Sequence, residues 1–319
     1  MLNRWSDGPL YPTPGRSSGF KGQVGNKMYF LGGISSAGYA ATCNVLDMET
    51  QVWSTLGDVP FGTYGSGSSC TKGQYIYCAG GYINGVSQSG MFKRYDTVTD
   101  TWATLANTPI NSYFHPTLCT YGDDRIYFWV GWSSGGSEGC RIGYYYTIST
   151  NHWSPSIYTA PDAIYTSYAI EIAPDDIRIF GGIHPDHSNP GQSTDVGVDW
   201  NWSYNPLMDS WDSTTYTPVP TPGGFSYRAR FGDFIYLISR YGYNAPAIPP
   251  QSNGVTEIYQ ISTDTWVTGL EKPNPASNGV VGVYKGNIFC AGALGNGTPC
   301  VEIFSSFQAS SRIYAQIIG

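Results

Sequence analysis

Apolar residues in this chain fall into short runs ending in small residues, without the period of an amphipathic helix. The clearest run is Met28-Tyr29-Phe30-Leu31-Gly32-Gly33, followed by Ile76-Tyr77-Cys78-Ala79-Gly80-Gly81, Ile126-Tyr127-Phe128-Trp129-Val130-Gly131 and Ile177-Arg178-Ile179-Phe180-Gly181-Gly182. Two weaker copies are Ile235-Tyr236-Leu237-Ile238-Ser239-Arg240 and Ile288-Phe289-Cys290-Ala291-Gly292-Ala293. Aromatic and β-branched residues in runs of this length predict strands. Their return at intervals of roughly 50 residues predicts one supersecondary unit repeated along the chain.

A second spacing follows each of the first five runs. An aromatic or aliphatic residue stands seven positions before a Trp: Leu46 and Trp53, Tyr95 and Trp102, Tyr146 and Trp153, Tyr204 and Trp211, Tyr259 and Trp266. Thr precedes that Trp by three at Thr50, Thr99, Thr150 and Thr263. Each unit therefore reads as four short strands, a to d from the axis outward. A twisted sheet of this size has two apolar faces and buries them only by stacking against its neighbours around an axis. The glycine pair ends strand b where backbones approach closely, and the Trp fills the gap that widens outward between sheets.

The Gly-Gly after a β run, then Tyr-Asp, Thr and Trp, resemble the kelch repeat of β-propellers. The resemblance extends over essentially the whole chain and weakens at Ser239-Arg240 and Gly292-Ala293. The fold class it implies is all-β: a six-bladed β-propeller of four-stranded antiparallel blades, one kelch-like domain over residues 1–319. Two segments compete to close the ring. Arg4-Trp5-Ser6-Asp7-Gly8-Pro9 resembles Trp53-Ser54-Thr55-Leu56-Gly57-Asp58-Val59-Pro60, and the C-terminal strand around Tyr314 repeats the seven-residue interval from Phe307.

Composition narrows the function classes. A net charge of −7 with 12% charged residues lacks the clustered cations that phosphate binding needs, so nucleic acid is excluded as a partner. With 41% hydrophobic and 15% aromatic residues a core is assured. No apolar run approaches the roughly 20 residues of a membrane span, and Met1 to Pro14 do not read as a secretory leader. Seven cysteines, none in a Cys-x-x-Cys pair, read as small buried hydrophobes, with Cys290 and Cys300 able to face each other across a hairpin.

The connections are unequal. Those between a and b and between c and d are short turns. Those between b and c and between d and a are long and must emerge together on the opposite face, where recognition is expected. They carry Tyr39, Tyr82, Trp132, Tyr241 and Tyr243 from b–c loops and Tyr64, Tyr113 and Tyr165 from d–a loops. Tyr and Trp offer large, stiff contact area with a polar tip. The two longest loops add Arg240, and His184, Asp186 and His187. His184-Pro185-Asp186-His187 gathers metal-type donors, but a loop has no fixed period and Pro185 turns the imidazoles apart. It reads as a polar loop, and no metal or cofactor is expected. Arg228 and Arg230 alternate on an inner strand, so that one can reach a ligand carboxylate. His115, opening the third inner strand, reads as a structural histidine.

Asp123-Asp124 and Asp175-Asp176 occupy the same a–b position and read as turn chemistry rather than a glycosidic acid/base pair. No nucleophile elbow, phosphate-cradling loop or dinucleotide fingerprint is present. The chain is expected to be a non-catalytic recognition or structural module. Its partners are expected to be a protein within an assembly, a surface glycan, or both. Few lysines and abundant Tyr, Gly, Ser and Thr resemble bacteriophage and other virion surface proteins, which favours a tail, fibre or capsid component at a virion or extracellular surface. Among kelch-type propellers the alternatives are a carbohydrate-modifying enzyme, of the sialic acid mutarotase or galactose oxidase kind, and an intracellular kelch adaptor. The oxidase set of two histidines, two tyrosinates and a cross-linked cysteine does not map onto this sequence.

Overall fold

The computed structural model describes residues 4–305, apart from 13, 62–63, 66, 84–85, 88–89, 111–114, 132–140, 164, 185–195, 225–226, 240, 245–247, 277 and 294–298. Six four-stranded antiparallel blades succeed one another, the first extended by short added strands into an eight-stranded sheet, and the one helical element among the described residues is the 3-10 turn Ile261–Thr263. The innermost strands are Phe20–Val24, Ser68–Lys72, Thr117–Tyr121, Tyr168–Ala173, Tyr227–Phe231 and Val280–Tyr284. They belong to blades 1 to 6 in that order, as the propeller reading requires.

The core is not one cluster but six, each between two neighbouring sheets. On strand Lys27–Ser35, Tyr29 and Leu31 pack with Ile76, Cys78 and Tyr95 of blade 2. The alternate residues Met28 and Phe30 pack with Val280, Phe289 and Ile303 of blade 6. Both faces of the strand are buried, which is why its sequence reads as a continuous apolar run rather than an alternation. Trp153 packs against Phe92 at 5.0 Å and Phe128 at 5.5 Å, wedged between blades 2 and 3.

A polar lock accompanies these wedges. Five residues after the strand-c Tyr, an Asp or Asn in the left-handed region accepts the Tyr hydroxyl: Tyr95–Asp100, Tyr146–Asn151, Tyr204–Asp209 and Tyr259–Asp264, at 2.6–2.8 Å. The same Asp or Asn side chain accepts a backbone N–H just beyond strand d of the preceding blade, from Gly57, Ala106, Tyr158 and Thr217 in turn. The Trp indole donates to the same segment, Trp153 to Ala106 O, Trp211 to Tyr158 O and Trp266 to Thr217 O. Blade 1 lacks the lock, because Leu46 and Gln51 replace Tyr and Asp, and Trp53 Nε1 finds no acceptor among the described residues. There the seam with blade 6 is bridged nearer the axis: Gln23 exchanges two 2.7 Å hydrogen bonds with the Val283 backbone, and Ser18 N donates to Asn278 O.

The outermost strand of blade 6 is the N-terminal Arg4–Asp7, paired with Pro299–Ser305 so that Trp5 lies opposite Phe304. Trp5 packs on that ring at 5.0 Å and donates its indole N–H to Leu270 O of blade 5. Tyr314 and the rest of the C-terminal segment lie outside the described residues.

The glycine pairs have two steric causes. Gly33 and Gly182 take φ of +115° and +127°, where a side chain is strained, and a Cβ on Gly33 would lie 2.7 Å from Ser17 O. Ser239 stands where blade 1 has Gly32 and takes φ of +54°, a left-handed conformation a non-glycine residue enters at a cost.

Two sequence expectations need correction. Cys290 and Cys300 are not directly opposed: Cys290 pairs with Glu302 and Cys300 with Gly292, and both thiols are free. Asp124 is a turn acceptor, binding Ser149 N and Oγ, but Asp176 forms a 2.6 Å ion pair with the buried Arg178. Arg178 is further held by the Tyr259 hydroxyl and by stacking on Tyr216.

Candidate binding face and axial channel

On the face of the long connections the chain builds extra hairpins. Strands Lys27–Ser35 and Gly38–Asp47 run past the blade to a tight turn, with Tyr39 opposite Ile34 and 39% exposed. Tyr64–Gly65 from the following d–a connection pairs with Ala40, and Tyr82–Ile83 from the b–c connection of blade 2 pairs with Tyr64–Gly65. Strand addition thus carries Tyr39, Tyr64 and Tyr82 into one ribbon. Across the ring, Tyr241–Asn244 and Ile248–Ser252 form a separate hairpin that contains Tyr241 and Tyr243.

Other expected contact residues have different surroundings. Tyr165 is 5% exposed and bridges to Ile183, so its ring packs beneath the rim. His184 ends strand Asp176–His184, its Nε2 3.1 Å from Asp162 Oδ1. Trp132, Tyr113, Asp186, His187 and Arg240 lie outside the described residues.

Arg228 lies on the inner strand of blade 5 and lines an axial cavity of about 410 Å³. Its guanidinium donates to Ser167 O at 2.7 Å and to Thr166 O. Lys21 of blade 1 lines the same cavity and donates to Gly279 O at 3.0 Å and Asn278 Oδ1 at 3.2 Å. Burial, and then the charge of Arg228, pull the Lys21 ammonium down to about 7. His115 is held down to about 3 by burial, then by Lys21 and Arg228. Lys21 was not singled out from sequence, although it is the one cation in an otherwise uncharged inner strand, Phe20-Lys21-Gly22-Gln23-Val24.

Glu171 lines the cavity too, with Oε2 accepting Gly122 N at 2.9 Å at the a–b turn of blade 3. Arg230 points to the same end, donating to Glu171 O and Gly232 O. Cys70 and Cys119 line the walls, and burial raises both thiols far above the reactive range.

Residues 65–109, which span the second blade, match the Kelch motif. That blade retains Gly80-Gly81, Tyr95-Asp96, Thr99 and Trp102 together. No curated protein matches the chain. Among solved structures it is similar to one titled "Structure of YjhT", with a TM-score of 0.71 at 15% identity over 93% of this chain and 96% of that one. At that identity the likeness concerns the fold. Repeat spacing and sheet order agree: the chain is a six-bladed β-propeller whose second blade carries a Kelch motif.

Proposed function

We propose that the propeller is a non-catalytic recognition module that binds a protein or glycan through the face built by its b–c and d–a connections. The observation that carries this reading is the inequality of the two faces. The a–b and c–d turns are short, as at Gly25-Asn26 between a and b and at residues 97–100 between c and d, whereas the opposite rim is extended by hairpins that gather Tyr39, Tyr64 and Tyr82 on one side and Tyr241 and Tyr243 on the other. Trp wedges between neighbouring blades, four of them accompanied by the Tyr–Asp or Tyr–Asn lock, hold that rim on a stiff base, so binding loses little entropy to scaffold motion. Attachment to a glycan through aromatic stacking, in a virion or another surface assembly, is the specific form we favour.

The test is a glycan microarray and cross-linking mass spectrometry of the native assembly, run with the wild type and with Tyr39→Ser/Tyr241→Ser/Tyr243→Ser. Glycan binding or rim cross-links that the triple variant loses support the module. Cross-links confined to the a–b and c–d turns refute it.

A further inference from the structure

Lys21 is the one amine among the described residues that line the axial cavity. Of the six lysines in the chain, Lys72, Lys272 and Lys285 are paired with the carboxylates of Asp123, Glu302 and Glu49. Lys21 is held instead by amide oxygens, Gly279 O at 3.0 Å and Asn278 Oδ1 at 3.2 Å. Two acceptors are what a neutral amine needs, because they use its two N–H bonds and leave its lone pair over. An ammonium in the same place carries a third donor, and neither oxygen offers it a counter-charge. The other titratable groups around it are Arg228 of blade 5 and His115 of blade 3, with Tyr168, Glu171, Cys70 and Cys119 along the walls. Burial is the main cause that brings the ammonium down to about 7, and the charge of Arg228 adds to it, so about half of the side chain is neutral at neutral pH. The side chain is nonetheless only half-buried, and the cavity it lines, of about 410 Å³, is of the size that holds small ligands. A neutral amine that solutes can reach is a nucleophile toward a carbonyl carbon.

We propose that Lys21 captures a small aliphatic aldehyde in the axial cavity as an imine. The Nζ lone pair attacks the aldehyde carbon, and the carbonyl oxygen takes up the proton that the nitrogen loses. The resulting carbinolamine then expels water as the C=N bond forms, with no oxidant or reductant required. Protonated, the imine keeps one N–H for Gly279 O or Asn278 Oδ1. Leu118, Ala169 and Val281 give the wall apolar surface for a short alkyl chain, and Thr71 and Thr120 offer hydroxyls to the departing oxygen. The site is separate from the rim and holds whether or not the rim binds a glycan.

The test is reductive alkylation of the folded wild-type chain with propanal and sodium cyanoborohydride at about pH 7. Peptide mass mapping separates Lys21 from the other lysines and from the N-terminal amine. Lys27 is the reference because it is exposed, so that access alone favours it over Lys21. Lys21 should be alkylated about tenfold or more faster, since an ordinary lysine is only about one part in a thousand neutral at that pH. The advantage should shrink from about pH 7 to about pH 9, as the reference amine loses its proton, and vanish when the chain is unfolded in concentrated urea. Equal rates at Lys21 and Lys27 in the folded protein overturn the proposal. A preference that persists in urea, or that stays constant with pH, overturns it as well.

Discussion

The Tyr–Asp lock between blades is open to quantitative dissection at Asp264. Its carboxylate accepts the Tyr259 hydroxyl at 2.6 Å and, from the preceding blade, Thr217 N at 3.0 Å and Thr217 Oγ1 at 2.9 Å. Tyr259 is buried and its hydroxyl also receives Arg178 Nη1 at 2.8 Å, so losing its acceptor strands a donor in the interior. A buried hydrogen bond to a charged acceptor contributes about 2 kcal/mol. The Thr217 contacts are exposed and together contribute roughly 0.5 kcal/mol, because water replaces them. Asp264 has φ of +51°, which alanine tolerates less well by about 1 kcal/mol. Asp264→Ala should therefore cost about 3.5 kcal/mol, and Asp264→Asn about 1 kcal/mol or less, since Asn keeps an acceptor and tolerates the left-handed region. Asn151 does the same work in blade 3. Urea unfolding followed by tryptophan fluorescence measures both, provided the m-value is unchanged. A double-mutant cycle with Tyr259→Phe should return a coupling near 2 kcal/mol. Equal costs for Ala and Asn, or coupling near zero, would refute the lock.

Three further outcomes follow from the same geometry. Trp5→Ala removes the ring packed on Phe304 and the bond to Leu270 O, and should cost about 3 kcal/mol in urea unfolding; an unchanged midpoint rules out the N-terminal strand as the seal. Ser239→Gly relieves a left-handed serine whose buried hydroxyl has no acceptor among the described residues, and should raise stability by about 1 kcal/mol; any loss counts against the strain argument. Lys21 is faced by Arg228 and His115, with Tyr168 and Glu171 also lining the cavity. Its folded value lies below the unfolded one, so the folded state binds fewer protons above about pH 7 and stability should rise from there. Above about pH 9 the buried thiols and tyrosines, raised by burial, reverse the trend. The rise between about pH 7 and 9 should flatten in Lys21→Gln, and an identical profile in both proteins dismisses the assignment.

Much of the architecture was legible because its cause is periodic. A strand buried on both faces must read Met28-Tyr29-Phe30-Leu31, and a Trp wedge must recur at fixed distance from its strand-c partner. The lock was partly visible, since Tyr95 and Asp100 keep their interval in Tyr146–Asn151, Tyr204–Asp209 and Tyr259–Asp264, but a turn Asp carries no mark that it reaches another blade. The contact of Arg178 with the Tyr259 hydroxyl and the buried Lys272–Glu302 ion pair were illegible for the same reason, as contacts between blades follow from ring geometry. Lys21 and Arg228, over two hundred positions apart in sequence, meet at one cavity only once the ring closes. The rim was legible as a set of long connections. The pairing that joins Tyr39, Tyr64 and Tyr82 was not, because two-residue strands leave almost no pattern.

The central claim, that recognition belongs to the rim of long connections, is tested most directly by binding measured for two face variants in parallel. Tyr39→Ser/Tyr241→Ser/Tyr243→Ser alters the rim, and Val98→Ser/Leu207→Ser/Met208→Ser alters exposed residues of the c–d turns. Surface plasmon resonance against the partner or glycan captured by the wild type should show binding lost in the first variant and kept in the second. The reverse pattern, with the rim variant binding normally and the turn variant silent, contradicts the account.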